Sequence, residues 1–374
     1  MLGLRYISSQ NALIILDAKV FMNGNARSIG GVCTMIDKLF LENFGVHRHI
    51  SWAHLKNINL IIGENGTGKT YILKAMYTAL RSLEQYQKGN DNRNLADILS
   101  DNLYWTFQPT SLGKLVKREG NERLHCVVGV DGQDFSYEFG KDTTKKIIKM
   151  NYAQQKNRAD TSIFIPAKEV LSLFQIILKS REQDHAFGFD NTYLDLVRAL
   201  QLPRQRGNNF RQFSPARKHL EKLLAGAVDY NPTTNQWYYQ QHQNIYSIGE
   251  TAEGIKKLAI FNQLLANRYL NRNSIIFMDE IESSLHPKAI VVFLDIVEKL
   301  AASGIQFFLA THSYFTLKKL CLMALEKKIS IPVLSLENNQ EPQYFDMCDG
   351  MPDNSIVRES VRLYEAEMDF ELGE

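Results

Sequence analysis

The chain has 374 residues, of which 44% are hydrophobic, and 43 Lys and Arg against 41 Asp and Glu give a formal net charge of +2. This composition excludes a disordered chain, and the near balance of charge argues against a protein whose whole surface binds nucleic acid, although local basic patches are still allowed. No stretch reaches the roughly 18 apolar residues that span a bilayer, and the four cysteines have no C-x-x-C spacing. We therefore expect a cytoplasmic protein without a membrane partner.

The first 34 residues differ from the rest of the chain. They contain the stretch 24–31, Gly-Asn-Ala-Arg-Ser-Ile-Gly-Gly, whose composition is typical of a flexible segment. Two interpretations are open for residues 1–34. They form an additional strand or interaction arm, or they precede the true start codon.

The next feature is a glycine-rich segment, Gly-Glu-Asn-Gly-Thr-Gly-Lys-Thr, which follows the apolar run 58–62 and precedes a helical pattern. Its glycines allow backbone N–H groups to surround the phosphates of a nucleotide, while Lys69 reaches the phosphates and Thr70 offers a hydroxyl to Mg²⁺. The following helix directs the positive end of its dipole at the same anion. We therefore predict that ATP and Mg²⁺ are bound by Gly63, Glu64, Asn65, Gly66, Thr67, Gly68, Lys69 and Thr70.

The middle of the chain predicts strands and then helices. Two strands, 124–130 and 135–139, flank Asp131-Gly132 and predict a hairpin, and a further core strand is expected over 161–166. The histidines at 47, 49 and 54 lack the Cys or carboxylate spacing of a zinc site, so we expect no zinc there.

Residues 168–226 have helical apolar spacing but are interrupted at Pro203 and Gly207, too early for a long coiled coil. A compact helical segment is expected instead, followed by a hairpin between 228 and 248. One stretch of this segment combines basic and aromatic side chains: Arg204, Arg206, Phe210, Arg211, Phe213, Arg217 and Lys218. Such a stretch could bind a nucleic-acid backbone and stack a base. The alternative is a solvated basic face or a surface for an acidic partner, and it is the interpretation we favour.

Two later apolar strands also end in polar residues. The strand 274–278 is followed by Asp279 and Glu280, and the strand 304–310 is followed by Thr311-His312-Ser313. Ligands of parallel sheets bind at the carboxyl ends of the strands, so these side chains are expected beside the phosphates. We expect Asp279 to hold Mg²⁺ and Glu280 to orient and deprotonate the attacking water. His312 is expected to sense or neutralise the γ-phosphate, with a purely structural histidine as the alternative.

In this order, these motifs resemble the ABC-class P-loop ATPases of the SMC and OLD kind, from about Met35 onward. The most specific part is 279–287, Asp-Glu-Ile-Glu-Ser-Ser-Leu-His-Pro, which resembles an extended Walker B motif followed by a D-loop. His312 matches the switch histidine of these proteins. The resemblance implies an α/β P-loop NTPase fold: an ABC-ATPase-like head with a mixed β-sheet, an antiparallel β subdomain and an inserted compact helical arm.

The resemblance also implies a composite site. The segment 251–258, Thr-Ala-Glu-Gly-Ile-Lys-Lys-Leu, stands where the family has its signature motif, so Thr251, Glu253 and Gly254 are implied to bind the nucleotide of a second subunit. Ala252 replaces the usual Ser, and only backbone N–H groups and the helix dipole remain at that position. Gln108 is the best candidate for the family's Q-loop ligand of Mg²⁺, with an ordinary loop glutamine as the alternative.

Four segments follow from this resemblance: the extension 1–34, an ATPase lobe 35–165, the inserted arm and hairpin 166–245, and a second ATPase lobe 246–374. After His312 we find no carboxylate cluster of the Toprim type that OLD nucleases carry. We therefore expect an ATPase subunit that forms a homodimer through composite ATP sites and controls a separate nuclease or toxin effector in anti-phage defence. The alternatives are a DNA-repair or DNA-end-binding ATPase that acts directly on nucleic acid, and a nucleotide-locked scaffold.

Overall fold

The computed structural model describes residues 35–153, 158–205 and 213–372. The extension 1–34 and three members of the predicted basic stretch, Arg206, Phe210 and Arg211, lie outside the described residues. The strands are β1 Ile36–Phe44, β2 His47–Ala53, β3 Ile58–Gly63, β4 Leu124–Val130, β5 Gln133–Phe139, β6 Lys149–Tyr152, β7 Ser162–Ile165, β8 Ala227–Asn231, β9 Gln236–Gln241, β10 Asn244–Ser247, β11 Ile275–Met278, β12 Gln306–Thr311, β13 Pro332–Leu336 and β14 Gln343–Asp346. The helices are α1 Lys69–Gln85, α2 Leu95–Phe107, α3 Phe174–Leu178, α4 Asn191–Gln201, α5 Ser214–Leu224, α6 Glu253–Ala266, α7 Pro287–Ala302, α8 Tyr314–Lys327 and α9 Ser355–Leu372.

The central sheet has six strands in the order β14-β13-β3-β12-β11-β7, and every pair is parallel except β13 with β14. The strands expected to end in functional residues, β3, β12 and β11, are neighbours in this sheet. Because they are parallel, their carboxyl ends lie at the same edge. The order of the strands therefore brings three distant parts of the sequence to one place.

The central sheet is buried on both faces, which explains the continuous apolar runs of its strands. In β3, Leu60 and Ile62 pack into one hydrophobic cluster with α4 to α8, whereas Ile61 packs into a second cluster. That second cluster contains α1 and a five-stranded antiparallel sheet in the order β2-β1-β4-β5-β6. The mixed sheet and the antiparallel sheet predicted from the sequence are thus both present.

The predicted hairpin is formed by β4 and β5. Its two turn residues, Asp131 and Gly132, have φ values of +54° and +77°. Positive φ at both central residues is what a two-residue type I′ turn requires, and Asp-Gly is a favoured pair for it.

The helices between β7 and β8 share the core of the central sheet. Leu196 and Leu200 of α4 and Leu220 of α5 belong to the same buried cluster as Ile276 of β11 and Phe293 of α7. The segment is therefore made of short packed helices, as its interrupted pattern indicated. It leads into a three-stranded antiparallel sheet in the order β10-β9-β8, one strand more than the expected hairpin.

A buried polar network fixes α1, the helix that follows the glycine-rich loop, against α4. The Tyr77 hydroxyl donates to Asp195 Oδ2 at 2.7 Å, and Arg81 Nε donates to the same oxygen at 3.0 Å. Arg81 also pairs with Glu84 at 3.0 Å. Since each charge in this network has a partner of opposite sign, its burial is tolerated and the helix position is strongly specified.

Towards the C-terminus the structure differs from expectation in two details. Strand β14 was not predicted, because a four-residue edge strand with half-exposed polar residues has little apolar pattern. Helix α9 is longer than expected and begins at Ser355. No helix in the described ranges is long and apolar enough to cross a membrane.

Candidate nucleotide-binding and hydrolysis site

The glycine-rich loop joins β3 to α1, as the sequence predicted. Gly66 and Gly68 have φ values of +81° and +85°, the left-handed region that favours glycine. A Cβ on Gly68 would lie 2.4 Å from His47 Nε2, so no larger residue fits there. Helix α1 begins directly after this glycine, at Lys69. The loop therefore has the curled backbone and the helix N-terminus that form an anion site.

Lys69 lies inside this loop. Its Nζ donates to the carbonyl oxygens of Gly63 at 2.8 Å and Glu64 at 2.7 Å, and the residue is only 8% exposed. Burial lowers the pKa of Lys69, and the carboxylates of Asp279 and Glu280 act in the opposite direction. The ammonium group is thus held by neutral backbone carbonyls, which the negatively charged oxygens of a phosphate can replace.

Thr70 and Asp279 are distant in the sequence but lie in contact in the structure. Thr70 Oγ1 donates to Asp279 Oδ2 at 2.8 Å, which links the start of α1 to the end of β11. Burial raises the pKa of Asp279, and the hydrogen bond from Thr70 opposes that rise. A hydroxyl and a buried carboxylate at the mouth of the loop are the hard oxygen ligands that Mg²⁺ prefers, and a cation would favour the charged form of Asp279. The residues present therefore fit the predicted Mg²⁺ site.

Glu280 and His312 lie side by side at the same edge of the sheet. Their closest approach is 4.0 Å, between His312 Nδ1 and Glu280 Oε1, and both side chains are more than 40% exposed. Glu280 has a φ of +47°, and its backbone carbonyl accepts a hydrogen bond of 2.6 Å from Lys257 Nζ. The carboxylate is therefore open to water, while its backbone is fixed.

Glu282 was not assigned a role from the sequence, yet it holds the end of β12. Its carboxylate accepts hydrogen bonds from Thr311 Oγ1 at 2.7 Å and from the backbone N–H of His312 at 3.2 Å. His312 Nδ1 lies 3.6 Å from the same carboxylate, which is 12% exposed. Glu282 therefore joins the turn after β11 to the strand end that carries the histidine. The sequence feature that could have indicated this role is the presence of a third carboxylate within the run 279–282.

The predicted signature residues are not brought to the glycine-rich loop of their own chain. Among the described residues, no hydrogen bond joins Thr251, Glu253 or Gly254 to that loop. Instead Gly254, in the first turn of α6, contacts the turn after β11, since a Cβ on Gly254 would lie 2.8 Å from the carbonyl oxygen of Ser284. The first N–H groups of α6 have no partner within the helix, as at any helix N-terminus.

Gln108 ends α2, and its side-chain amide is engaged at both ends by one loop. Nε2 donates to the carbonyl of Phe189, and Oε1 accepts from the N–H of Gly188, both at 3.0 Å. Asp190, which follows Phe189 in the same loop, pairs with Lys74 of α1 at 2.7 Å. Within the described ranges Gln108 makes no hydrogen bond to the residues of the predicted Mg²⁺ site, so its role as a ligand stays a prediction.

His47 supports the glycine-rich loop from β2, a role that the sequence did not indicate. Its Nε2–H donates to the carbonyl oxygen of Gly68 at 3.2 Å, and the residue is 6% exposed. Burial lowers the pKa of His47 to about 4. The imidazole is therefore neutral at physiological pH.

The basic stretch is only partly within the described residues. Arg204 donates to Gln263 and to the carbonyl of Val228, and Arg217 pairs with Glu221 at 3.2 Å. Phe213 is 1% exposed and belongs to the core, so it is not free to stack on a base. These contacts are compatible with the favoured interpretation, a solvated basic face or a surface for an acidic partner.

Two curated proteins are similar to the chain. It is 22% identical over 302 residues to the Septu protein PtuA of Bacillus mycoides (strain KBAB4), covering 76% of this chain and 39% of that protein. It is 24% identical over 202 residues to structural maintenance of chromosomes protein 6 of Dictyostelium discoideum, covering 50% and 16%. The chain thus spans less than half the length of either relative.

Among solved structures, the chain is similar to the Smc head domain with an extended coiled coil bound to the C-terminal domain of ScpA, from Pyrococcus furiosus. The TM-score is 0.47 at 13% identity, covering 87% of this chain and 99% of that one. A family described as "AAA domain, putative AbiEii toxin, Type IV TA system" matches residues 58–318. That interval covers more than half of the chain and includes the glycine-rich loop, the segment 251–258, Asp279, Glu280 and His312. The chain therefore belongs to this family of AAA domains, and the glycine-rich loop between β3 and α1 lies within the matched residues.

Proposed function

We propose that the chain binds and hydrolyses ATP as a homodimer with two composite sites. The observation that carries this proposal is the convergence of the glycine-rich loop, the end of β11 and the end of β12 at one edge of the central sheet. The signature segment makes no hydrogen bond to the loop of its own chain within the described ranges. A second copy would supply that segment to complete each site.

The chemistry assigns one task to each side chain. Lys69 exchanges its two carbonyl acceptors for phosphate oxygens, and Thr70 and Asp279 hold Mg²⁺. Bound Mg²⁺ neutralises charge on the phosphates and orients them. Glu280 accepts the proton of the attacking water, and its open carboxylate supports this role. His312, beside Glu280, donates to the γ-phosphate as negative charge develops.

Turnover by the purified protein tests the hydrolytic site. We expect Glu280→Gln to lower kcat at least about 100-fold, because general base catalysis typically contributes 10² or more. We expect Lys69→Ala to lose ATP binding, measured by equilibrium binding of a fluorescent ATP analogue. Glu298→Gln, a substitution of a carboxylate on α7 that pairs with Lys327, is the matched control. An E280Q variant that turns over ATP at the wild-type rate contradicts the assignment of the base.

The composite site is tested by oligomeric state. In E280Q the nucleotide is retained, so we expect ATP with Mg²⁺ to convert monomers to dimers in analytical ultracentrifugation, and ADP to leave them as monomers. The additional substitution Lys69→Ala is expected to abolish the conversion. Dimers that form equally with and without ATP contradict an interface made through the nucleotide.

We further propose that the ATPase regulates a separate effector, a nuclease or a toxin, in anti-phage defence. Two observations support this proposal: the family description names a toxin–antitoxin system, and one relative is a Septu protein. The test is capture of E280Q from its native host with ATP and Mg²⁺, followed by mass spectrometry. Stoichiometric recovery of a nuclease or toxin supports the proposal. Recovery of the ATPase with DNA alone contradicts it and favours an ATPase acting directly on nucleic acid.

A further inference from the structure

The backbone of Glu280 adopts a conformation that a residue with a Cβ rarely takes. Its φ is +47°, in the left-handed region, and it closely follows the extended strand β11. Such a conformation persists only where neighbouring groups hold it. In this turn the Glu280 carbonyl accepts the N–H of Ser283 at 2.9 Å, whereas the N–H of Ile281 makes only a long 3.4 Å contact with the carbonyl of Ala310. The turn thus supplies one backbone hydrogen bond to this carbonyl, and any second anchor must come from outside the turn.

Lys257 of α6 provides that anchor. Its Nζ donates to the carbonyl oxygen of Glu280 at 2.6 Å and approaches the carbonyl of Ser283 at 3.5 Å. The residue is 5% exposed, and the carboxylates facing it are those of Glu282, Glu280 and Asp279. A buried ammonium on a backbone carbonyl forms a charge-assisted hydrogen bond, which is stronger than a neutral one.

The preceding lysine gives an internal comparison. Lys256 is equally buried, but its Nζ pairs with Glu253 at 2.7 Å and lies 3.6 Å from Glu169. Two adjacent lysines of one helix thus make different contacts. Lys256 forms an ion pair in the first turn of α6, whereas Lys257 contacts the turn after β11.

We propose that Lys257 is a positioning residue for hydrolysis, which holds the Glu280 backbone in its left-handed conformation and so aims the carboxylate at the attacking water. This inference rests on the proposed function. Lys257 acts through the backbone of Glu280, whose carbonyl it contacts. Its removal is therefore expected to affect the chemical step and to leave ATP binding by the glycine-rich loop unchanged.

Steady-state turnover and ATP binding of Lys257→Met test the proposal. We expect kcat to fall about 10- to 100-fold, the factor that corresponds to one charge-assisted hydrogen bond, while the Kd for ATP changes less than about twofold. Lys257→Arg keeps the charge and is expected to recover most of the rate. The control is Lys319→Met, which removes a partly buried ammonium paired with Asp295 on α7 and is expected to keep wild-type turnover. If K257M does not fold, Lys257→Gln is measured instead, since it keeps an N–H donor on an apolar stem.

A double-mutant comparison separates positioning from general destabilisation. If Lys257 acts through the Glu280 carboxylate, K257M lowers the rate of the wild type but not the residual rate of E280Q. An equal fold loss in both backgrounds, or a wild-type rate in K257M, overturns the inference and leaves the proposed function standing. Absence of ATP turnover in the wild-type protein overturns both.

Discussion

Replacing Glu282 by Ala tests whether this carboxylate organises the hydrolytic edge of the sheet. The substitution removes two charge-assisted acceptors, one for the Thr311 hydroxyl and one for the His312 N–H. Such bonds contribute about 1.5–3 kcal/mol each, and water can replace part of the loss at this edge, so we expect a destabilisation of about 2–4 kcal/mol. Because His312 loses its backbone anchor and its neighbouring charge, kcat is expected to fall at least about tenfold.

The assay combines denaturant unfolding with ATP turnover. Glu282→Gln is the informative partner variant, since its amide can accept from the His312 N–H and donate to Thr311 Oγ1, and we expect less than half the loss of E282A. Glu298→Ala, which removes a similarly buried carboxylate with a single ion pair to Lys327, is the control and is expected to cost about 1 kcal/mol or less. If E282A matches the wild type in both unfolding midpoint and turnover, the two hydrogen bonds do not organise the site.

Two further substitutions probe the signature helix and the loop support. Gly254→Ala places a Cβ 2.8 Å from the Ser284 carbonyl oxygen. We therefore expect the free energy of unfolding to fall by about 1–3 kcal/mol and ATP-dependent dimerisation to weaken in ultracentrifugation. Gly249→Ala is the control, since the nearest atom to its Cβ is 3.7 Å away, and it should have neither effect. The pKa of His47 is about 4 in the folded chain, against 6.5 for an unperturbed histidine, so the unfolded state binds more protons between these values. Stability should therefore fall as the pH drops from about 6.5 to 4, by about 3 kcal/mol. When the free energy of unfolding is measured in urea across this pH range, its dependence on pH should be weaker for His47→Gln than for the wild type. His242→Gln, which replaces an exposed histidine, should behave as the wild type.

The core of the site could be predicted because it depends on local patterns. The glycine-rich loop needs only its own residues and the flanking strand and helix. Asp279, Glu280 and His312 each follow an apolar run, and parallel pairing alone brings the ends of such runs together. The Asp-Gly hairpin is equally local. The parallel sheet followed from the same elements, because a strand buried on both faces is typical of a covered parallel sheet, whereas the fold class was implied by the family resemblance.

The supporting contacts could not be predicted, because no local sequence pattern relates the two residues of each contact. Lys257 lies 23 residues before its acceptor and Glu282 lies 29 before its donor, and neither distance corresponds to a helical or strand period. His47 looked like one of three clustered histidines, and only the pairing of β2 with β1 turns it towards the loop. Sequence patterns identify the side chains that can take part in binding and catalysis. Only the tertiary structure shows which other residues hold those side chains in place.

The turn after β11 is the point at which these supports meet, and three of its residues are each bound by a different element. Asp279 is bound from α1 by Thr70, Glu280 from α6 by Lys257, and Glu282 from the end of β12 by Thr311. Because α6 begins within the segment 251–258, Lys257 links the backbone of Glu280, the proposed base, to the segment proposed to meet a second copy. The proposed function therefore predicts that the geometry of hydrolysis and the geometry of dimer contact depend on each other.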